Sequence, residues 1–236
     1  MRCNNLLLLL CILISTPYVK AESFTLDVGN TTINITSPDG FYKVKSSNQV
    51  ASKLAKMVTA PSNKLLATLL TKDDIELSRS GEFPLASEYM LIQTPIKLLK
   101  YNLSVSKFKE LKDLIKQQQH TFMSRHKKKM DAIVKGISSK FNNEYGEGYD
   151  MELSDSVSLG IFLDKSDAVG LTTVTTNNLV DLGTSYKVIG SSTTMLVNNK
   201  LLFIYVYKTV DNLSSDKLWV EAKTNEFVDL ILEDNE

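Results

Sequence analysis

Leu201 to Thr209 reads LLFIYVYKT, and it follows Tyr186 to Val197 across Asn198-Asn199-Lys200. Leu202, Ile204 and Val206 alternate with Phe203, Tyr205 and Tyr207, so both faces of the run are apolar or aromatic. A strand with one wet face alternates apolar with polar; one that is apolar on both faces is covered on both and belongs near the middle of a sheet. The Asn-rich turn pairs it with Tyr186–Val197 as a hairpin. The chain is therefore expected to be built around a sheet with helices packed on it.

Working outward, Ser214 or Ser215 is placed to cap a final helix, with Leu218, Ala222, Phe227, Leu230 and Ile231 toward the core and Trp219 near the stripe's edge. Upstream, SVSLGIFLD (Ser156–Asp164) and GLTTVTT (Gly170–Thr176) read as further strands, the second with one threonine-rich face. Before them lies the longest periodic segment, Ser104 to Phe141. At ~100° per residue, Val105, Phe108, Leu111, Ile115, Phe122, Met130, Ile133, Val134, Ile137 and Phe141 form one broad stripe. As one helix it would reach roughly 57 Å, against about 25–30 Å for the sheet. Its stripe also drifts by roughly 50° between its two halves. It is expected to bend, break or overhang near Gln117–Lys129.

The first half mixes elements. Phe24 to Ile35 alternates on either side of Gly29-Asn30 as a hairpin, and Pro38-Asp39-Gly40 makes a turn. Phe41–Val44 is extended. Gln49–Thr59 reads as a helix with Val50, Leu54, Met57 and Val58 as its stripe, and Lys64–Thr71 as a buried strand. Asp73–Ser80 is a short helix with acids in its first turn, and Ser87–Thr94 a strand closed by Pro95. Runs of strands closed by helices define an α+β class: a mainly antiparallel sheet with packed helices, an α/β/α-like sandwich with one long amphipathic helix mid-chain.

The N-terminus reads as an address. Arg2 precedes a nine-residue apolar core, Leu6–Ile14, and Val19 and Ala21 sit at −3 and −1 of a cleavage site before Glu22. The expected organisation is a signal peptide over 1–21 and a single α+β domain over 22–236. Both cysteines, Cys3 and Cys11, leave with the signal, so the exported chain holds no disulfide and no thiolate site. Removing Arg2 and Lys20 from 27 basic residues leaves 25 against 27 acidic, a balance that gives no field for nucleic acid. No later stretch is apolar for long enough to insert in a membrane as a helix.

SPDGFYKV (Ser37–Val44) and NNKLLFIYVYKT followed by a Trp-bearing helix, together with the signal, resemble an uncharacterised family of exported bacterial proteins. The strand and helix order is similar to the sandwich of the Mog1 and PsbP-like group. That resemblance implies a non-catalytic binding or accessory role and carries no catalytic residues or cofactor with it.

Chemistry-bearing residues are sparse. His120 and His126 are six apart and point ~120° away from each other on a regular helix, which excludes an i,i+4 zinc pair. Arg125, His126, Lys127, Lys128 and Lys129 form the one dense basic run, a candidate partner surface that lacks aromatics for stacking bases. Asp73, Asp74, Glu76, Asp150, Glu152, Asp155, Asp164 and Asp167 suit turns and caps, and no DxDxDG, GxSxG or SxxK pattern accompanies them. Tyr89, Tyr186, Tyr205, Tyr207 and Trp219 are the candidates for an aromatic cleft between sheet and helix. Asn30, Asn34, Asn102 and Asn212 lie in glycosylation sequons, which matter only in a eukaryotic secretory path.

The expected function is an exported, non-catalytic binding or accessory protein of the bacterial envelope, with a protein partner and no cofactor, metal or nucleic acid. One rival is a hydrolase using carboxylates or His126. The other is a secreted effector that binds an anionic surface through Arg125–Lys129.

Overall fold

The computed structural model describes residues 22–80, 87–119, 121–146, 150–181 and 183–236, with the side chains at 122–126, 129 and 153 outside the description. The expected signal peptide lies outside the described residues.

Strands β1 (Ser23–Val28) and β2 (Thr31–Thr36) form a separate two-stranded antiparallel ribbon. Its turn uses Gly29 at φ +67°, a conformation glycine adopts without strain. Phe41 N–H donates to Pro38 O at 3.1 Å, closing the expected turn before β3 (Phe41–Lys43). Helix α1 (Gln49–Val58) starts on Asn48, whose side chain accepts from Ala51 N–H. It buries Ala51, Ala55 and Met57, whereas Val50, Leu54 and Val58 stay half-buried. Strand β4 (Asn63–Thr71) leads into α2 (Lys72–Arg79), capped by Thr71, and β5 (Glu88–Pro95) follows.

The long amphipathic segment is two helices, α3 (Val105–Gln118) and α4 (Phe122–Tyr145), and the break falls inside the stretch where the apolar register thins. Gly146 ends α4 at φ +94°. The rest is a run of long strands, β6 (Met151–Asp164), β7 (Ala168–Leu179), β8 (Thr184–Val197) and β9 (Lys200–Thr209), then helix α5 (Leu213–Glu233).

Seven strands make one antiparallel sheet in the order β3-β4-β5-β9-β8-β7-β6. Strand β9 is its middle member, as expected, although only the Leu202–Ile204–Val206 face is fully covered and the Phe203–Tyr205–Tyr207 face is half-buried. Val197 pairs with Lys200, so the turn is two residues, and Asn198 and Asn199 both take positive φ (+49° and +62°). That is the two-residue hairpin geometry matching strand twist, and Asn tolerates it better than most residues. Lys200 is fully buried beneath this turn, its Nζ donating to Leu99 O (3.3 Å) and Tyr101 O (3.2 Å).

One face of the sheet is closed. Leu202, Ile204 and Val206 are 0% exposed and pack with Met90, Ile92, Ile189 and Met195 under Val220, Phe227, Val228 and Ile231 of α5 and under Leu26, Val28, Ile33 and Ile35 of the ribbon. The stripe of α5 therefore differs from the expected one. Leu218 is 67% exposed and Ala222 is exposed, while Val220, Thr224, Phe227 and Ile231 face the sheet. Two residues on a helix are separated by ~200°, so a helix that buries Val220 turns Leu218 outward. Its cap is Asn212, not Ser214 or Ser215, and both serine N–H groups donate to the Asn212 side chain.

The other face carries the remaining helices near its margins. Phe108 of α3 packs with Leu196, Leu201 and Phe203 at the β8–β9 turn. Helices α1 and α2 pack over Leu70 and Tyr89 on the β3–β4 side. Helix α4 joins the two sides: Ser138 accepts from Met151 N–H at the start of β6, and Lys140 Nζ donates to Met57 O of α1.

Candidate binding face

The alternation of β9 sends Phe203, Tyr205 and Tyr207 to this second face. All three are half-buried, although their strand neighbours Leu202, Ile204 and Val206 are wholly enclosed. Tyr89 of β5 stands directly opposite Tyr207, with ring centroids 4.8 Å apart and planes 29° from parallel. Tyr205 lies 6.0 Å from Tyr207 with planes only 7° apart. On the other side Tyr207 is paired with Gly190 of β8, where a Cβ would stand 2.7 Å from Cδ1 of the ring. Glycine is present there because the tyrosine ring fills the space a side chain would take.

Polar side chains knit the row. Tyr205 pairs with Leu91 and Ser192 across the sheet. Asn63 Nδ2 donates to Gln93 Oε1 at 2.9 Å. Register carries the same face outward through Tyr186, Leu171, Thr173 and Thr175 to Ser156, Ser158 and Ile161, all half-buried. The Ser156 and Thr175 hydroxyls are 3.1 Å apart.

This floor carries almost no charge. Among the described strand residues directed to it, Asp164 is the only ionised one, at the α3 margin, and it is paired with Lys112 (3.0 Å) and Lys116. Hydrogen bonds from Lys116 and then Lys112 hold the Asp164 carboxyl below the usual range. The phenols are shifted the opposite way. Burial, and then the neighbouring Tyr186, raises the Tyr89 hydroxyl. Burial, then Tyr89 and Tyr205, raises Tyr207 further, and burial alone raises Tyr186. Burial pushes Tyr205 up to about 12, against the opposing bonds from Ser192 and Asn63. Desolvation disfavours the phenolate, so near neutral pH all four are neutral hydroxyls that donate or accept but do not act as anionic bases.

The candidate aromatic cleft is thus divided. Tyr89, Tyr186, Tyr205 and Tyr207 share the second face, but Trp219 lies on the closed one, 6.2 Å from Phe41 and with Lys208 Nζ 5.0 Å from its ring. The sheet lies between helix α5 and the tyrosines, so Trp219 is no part of that floor.

Of the basic run, Lys127 and Lys128 are exposed on α4, and Lys127 is bonded to Asp131 at 3.3 Å. Arg125, His126 and Lys129 lie along α4, but their side chains, like His120, lie outside the described residues. Three of the acidic candidates serve local structure. Asp74 accepts from Thr71 in the α2 cap, Asp150 from Asn142, and Asp167 from Ser166. Among the described residues no three His, Cys, Asp or Glu side chains gather as a metal set. Nor does a described helix have the length and apolarity to cross a membrane.

Thr173 and Thr175 of the expected threonine-rich strand join the face, and so do Asn63, Gly190 and Ser192, which sequence reasoning did not single out. The parity of each strand was a usable signal; the register that aligns one strand's parity with the next was not.

No family model matches the chain, and no curated protein matches it. Solved structures similar in outline include the following three. The Ran-binding protein Mog1p of Saccharomyces cerevisiae is 8% identical with a TM-score of 0.34, over 91% of this chain and 95% of its own. Cyanobacterial PsbP (CyanoP) of Synechocystis is 9% identical with a TM-score of 0.40, over 90% and 94%. A Mog1 point mutant gives 9% and 0.34, over 90% and 94%. At these TM-scores the likeness carries no inference about function.

Proposed function

We propose that the chain is an exported, non-catalytic binding or accessory protein of the bacterial envelope, which receives its partner on the tyrosine-bearing face of the sheet. The supporting observation is the contrast within β9: Leu202, Ile204 and Val206 are enclosed, whereas Phe203, Tyr205 and Tyr207 beside them are only partly buried. Half-buried aromatics with polar tips are the usual material of recognition surfaces. The export half of the reading rests on the signal pattern of residues 1–21.

Neither rival draws comparable support. Asp74, Asp150 and Asp164, three of the acids that a hydrolase could use, are engaged in a cap, a hydrogen bond and an ion pair on separate elements. The basic run has one of its two described charges neutralised by Asp131, which weakens any pull toward an anionic surface.

The test is photo-crosslinking in intact producing cells from a reactive aromatic placed at Val188, a half-buried floor position. A reproducible adduct in the envelope fraction, absent when the group is placed at exposed Leu218, supports the reading. Adducts that are equal from both sites, or turnover of an ester or glycoside panel by the purified chain, would overturn it.

A further inference from the structure

The segment from Ile96 to Lys109 wraps the end of the sheet where β5 finishes and β8 turns into β9. Its inward side is fixed. Leu99 packs against the core beneath α5, and Leu98 and Leu103 pack with Phe108, Leu196 and Leu201. Ile96 N–H donates to Ser62 O (3.0 Å) and Leu103 N–H to Asn199 O (2.8 Å), while buried Lys200 draws in the carbonyls of Leu99 and Tyr101. Gly29 closes the remaining side, because a Cβ there would stand 2.0 Å from Leu99 O. A backbone held from several directions presents a fixed set of side chains outward.

Those side chains are of two kinds. Tyr101 is 68% exposed, Val105 63% and Ile96 49%, so three large apolar or aromatic side chains are left in water. Among them stand Lys97, Lys100, Lys107 and Lys109, all exposed. Val105 and Lys109 are one turn apart on α3 and share a side of the helix. No acidic residue occurs from Tyr89 to Lys109. Glu110 pairs with Lys107, but Lys97, Lys100 and Lys109 have no ion-pair partner among the described residues. Asp27 and Asp167 on adjoining elements accept from Thr32 and Ser166.

Exposed apolar groups set among lysines are unlike a protein–protein interface, which is depleted in lysine. They suit the boundary of an acidic bilayer. There a tyrosine ring and aliphatic side chains enter the headgroup region, and lysine stems lie along apolar surface with their ammonium groups at the phosphates. No described helix can cross a membrane, so such a contact is peripheral and depends on the charge. We infer that this end of the molecule docks on an anionic lipid surface, with Ile96, Tyr101 and Val105 inserted and Lys97, Lys100 and Lys109 against the lipid phosphates. The site is separate from the tyrosine face and adds a membrane-surface contact to the reading above.

The experiment is co-sedimentation of the purified exported chain with two kinds of vesicle: phosphatidylcholine alone, and phosphatidylcholine with phosphatidylglycerol in equal parts. Binding to the mixed vesicles is expected to be at least tenfold stronger and to weaken as salt is raised. Lys97→Gln/Lys100→Gln is expected to weaken it about tenfold or more, through loss of two surface charges. Tyr101→Ser/Val105→Ser should weaken it about fivefold or more, through loss of inserted apolar area. Lys127→Gln/Lys128→Gln on α4 should leave it unchanged. All six altered side chains are exposed, and circular dichroism confirms that each variant is folded. As a second readout, Tyr101→Trp should emit further to the blue on mixed vesicles and be quenched by brominated lipid.

No binding to the mixed vesicles, equal binding to phosphatidylcholine, or an unmoved Tyr101→Trp spectrum would each overturn the inference. So would a loss caused by Lys127→Gln/Lys128→Gln and not by Lys97→Gln/Lys100→Gln. Capture of an acidic protein through this segment, without vesicle binding, would overturn the lipid assignment as well. The Val188 cross-link tests the other face and stands or falls independently.

Discussion

The ring of Tyr207 occupies the space above Gly190 on the neighbouring strand, where a Cβ would stand 2.7 Å from its Cδ1 and 2.9 Å from its Cε1. The two residues are direct partners in the β8–β9 ladder, so one's missing side chain seats the other's ring. Gly190 does not carry a positive φ, which makes this a requirement for room rather than for an unusual backbone.

Gly190→Ala is therefore expected to push Tyr207 off its seat and disturb its stack on Tyr89. Overpacking of this kind costs about 1–3 kcal/mol. Urea unfolding should show a lower midpoint with unchanged slope, and the near-ultraviolet tyrosine signal should change. A midpoint equal to that of the parent chain would contradict the seating argument.

A side-chain clamp joins β2 to the segment that follows α5. Asn235 Nδ2 donates to Asn34 O at 2.7 Å and its Oδ1 accepts from Asn34 N–H at 3.0 Å, so one side-chain amide closes the free edge of β2 as a neighbouring strand would. Asn235→Ala should lower stability by about 1–2 kcal/mol, two exposed bonds being worth less than two buried ones. Hydrogen exchange offers a sharper readout: the Asn34 amide should exchange faster in the variant, with the amides of β9 unaffected.

Titration of the tyrosines gives a signed prediction. Their folded-state values lie above the ordinary 10, so the folded chain binds more protons than the unfolded chain in alkaline solution. Stability is then complete below pH 10 and falls as pH rises through the window from 10 to about 12, where Tyr205 ionises. Denaturant midpoints should be level from pH 8 to 9 and drop beyond pH 10. Absorbance near 295 nm should show several tyrosines ionising only with unfolding.

The start of α5 distinguishes two capping schemes. Asn212→Ala is expected to cost about 1 kcal/mol, because its side chain accepts from both Ser214 and Ser215 N–H. Ser214→Ala should be close to neutral. Thermal melts of the two variants decide the matter, and equal losses would remove Asn212 from its role.

Much of the fold was legible before any coordinates. The two-faced run at Leu201–Thr209 placed β9 at the sheet's centre, and the thinning register after Gln117 located the break between α3 and α4. Both are local signals: period, length and turn chemistry act within a few residues. Helix α5 was less legible. Apolar side chains lie on more than one side of it, so periodicity alone did not say that Val220 rather than Leu218 meets the sheet. Contact with a sheet 10 or more residues away in sequence made that choice.

The candidate face divides along the same line. Sequence by itself determined that Tyr205 and Tyr207 share one side of a strand and that the chain is rich in hydroxyls along β7, since strand parity is a property of the backbone. Only the tertiary structure decided that Tyr89 and Tyr186 join them and that Trp219 does not. Which helices cover each side was also a tertiary matter. Helix α5 and the β1–β2 ribbon pack on one face, while α3 packs at the β8–β9 turn and α1 and α2 pack over Leu70 and Tyr89 on the other. Parity is fixed by stereochemistry within a strand, but register and cover arise from packing between segments far apart in the chain, and these make a row of tyrosines a surface.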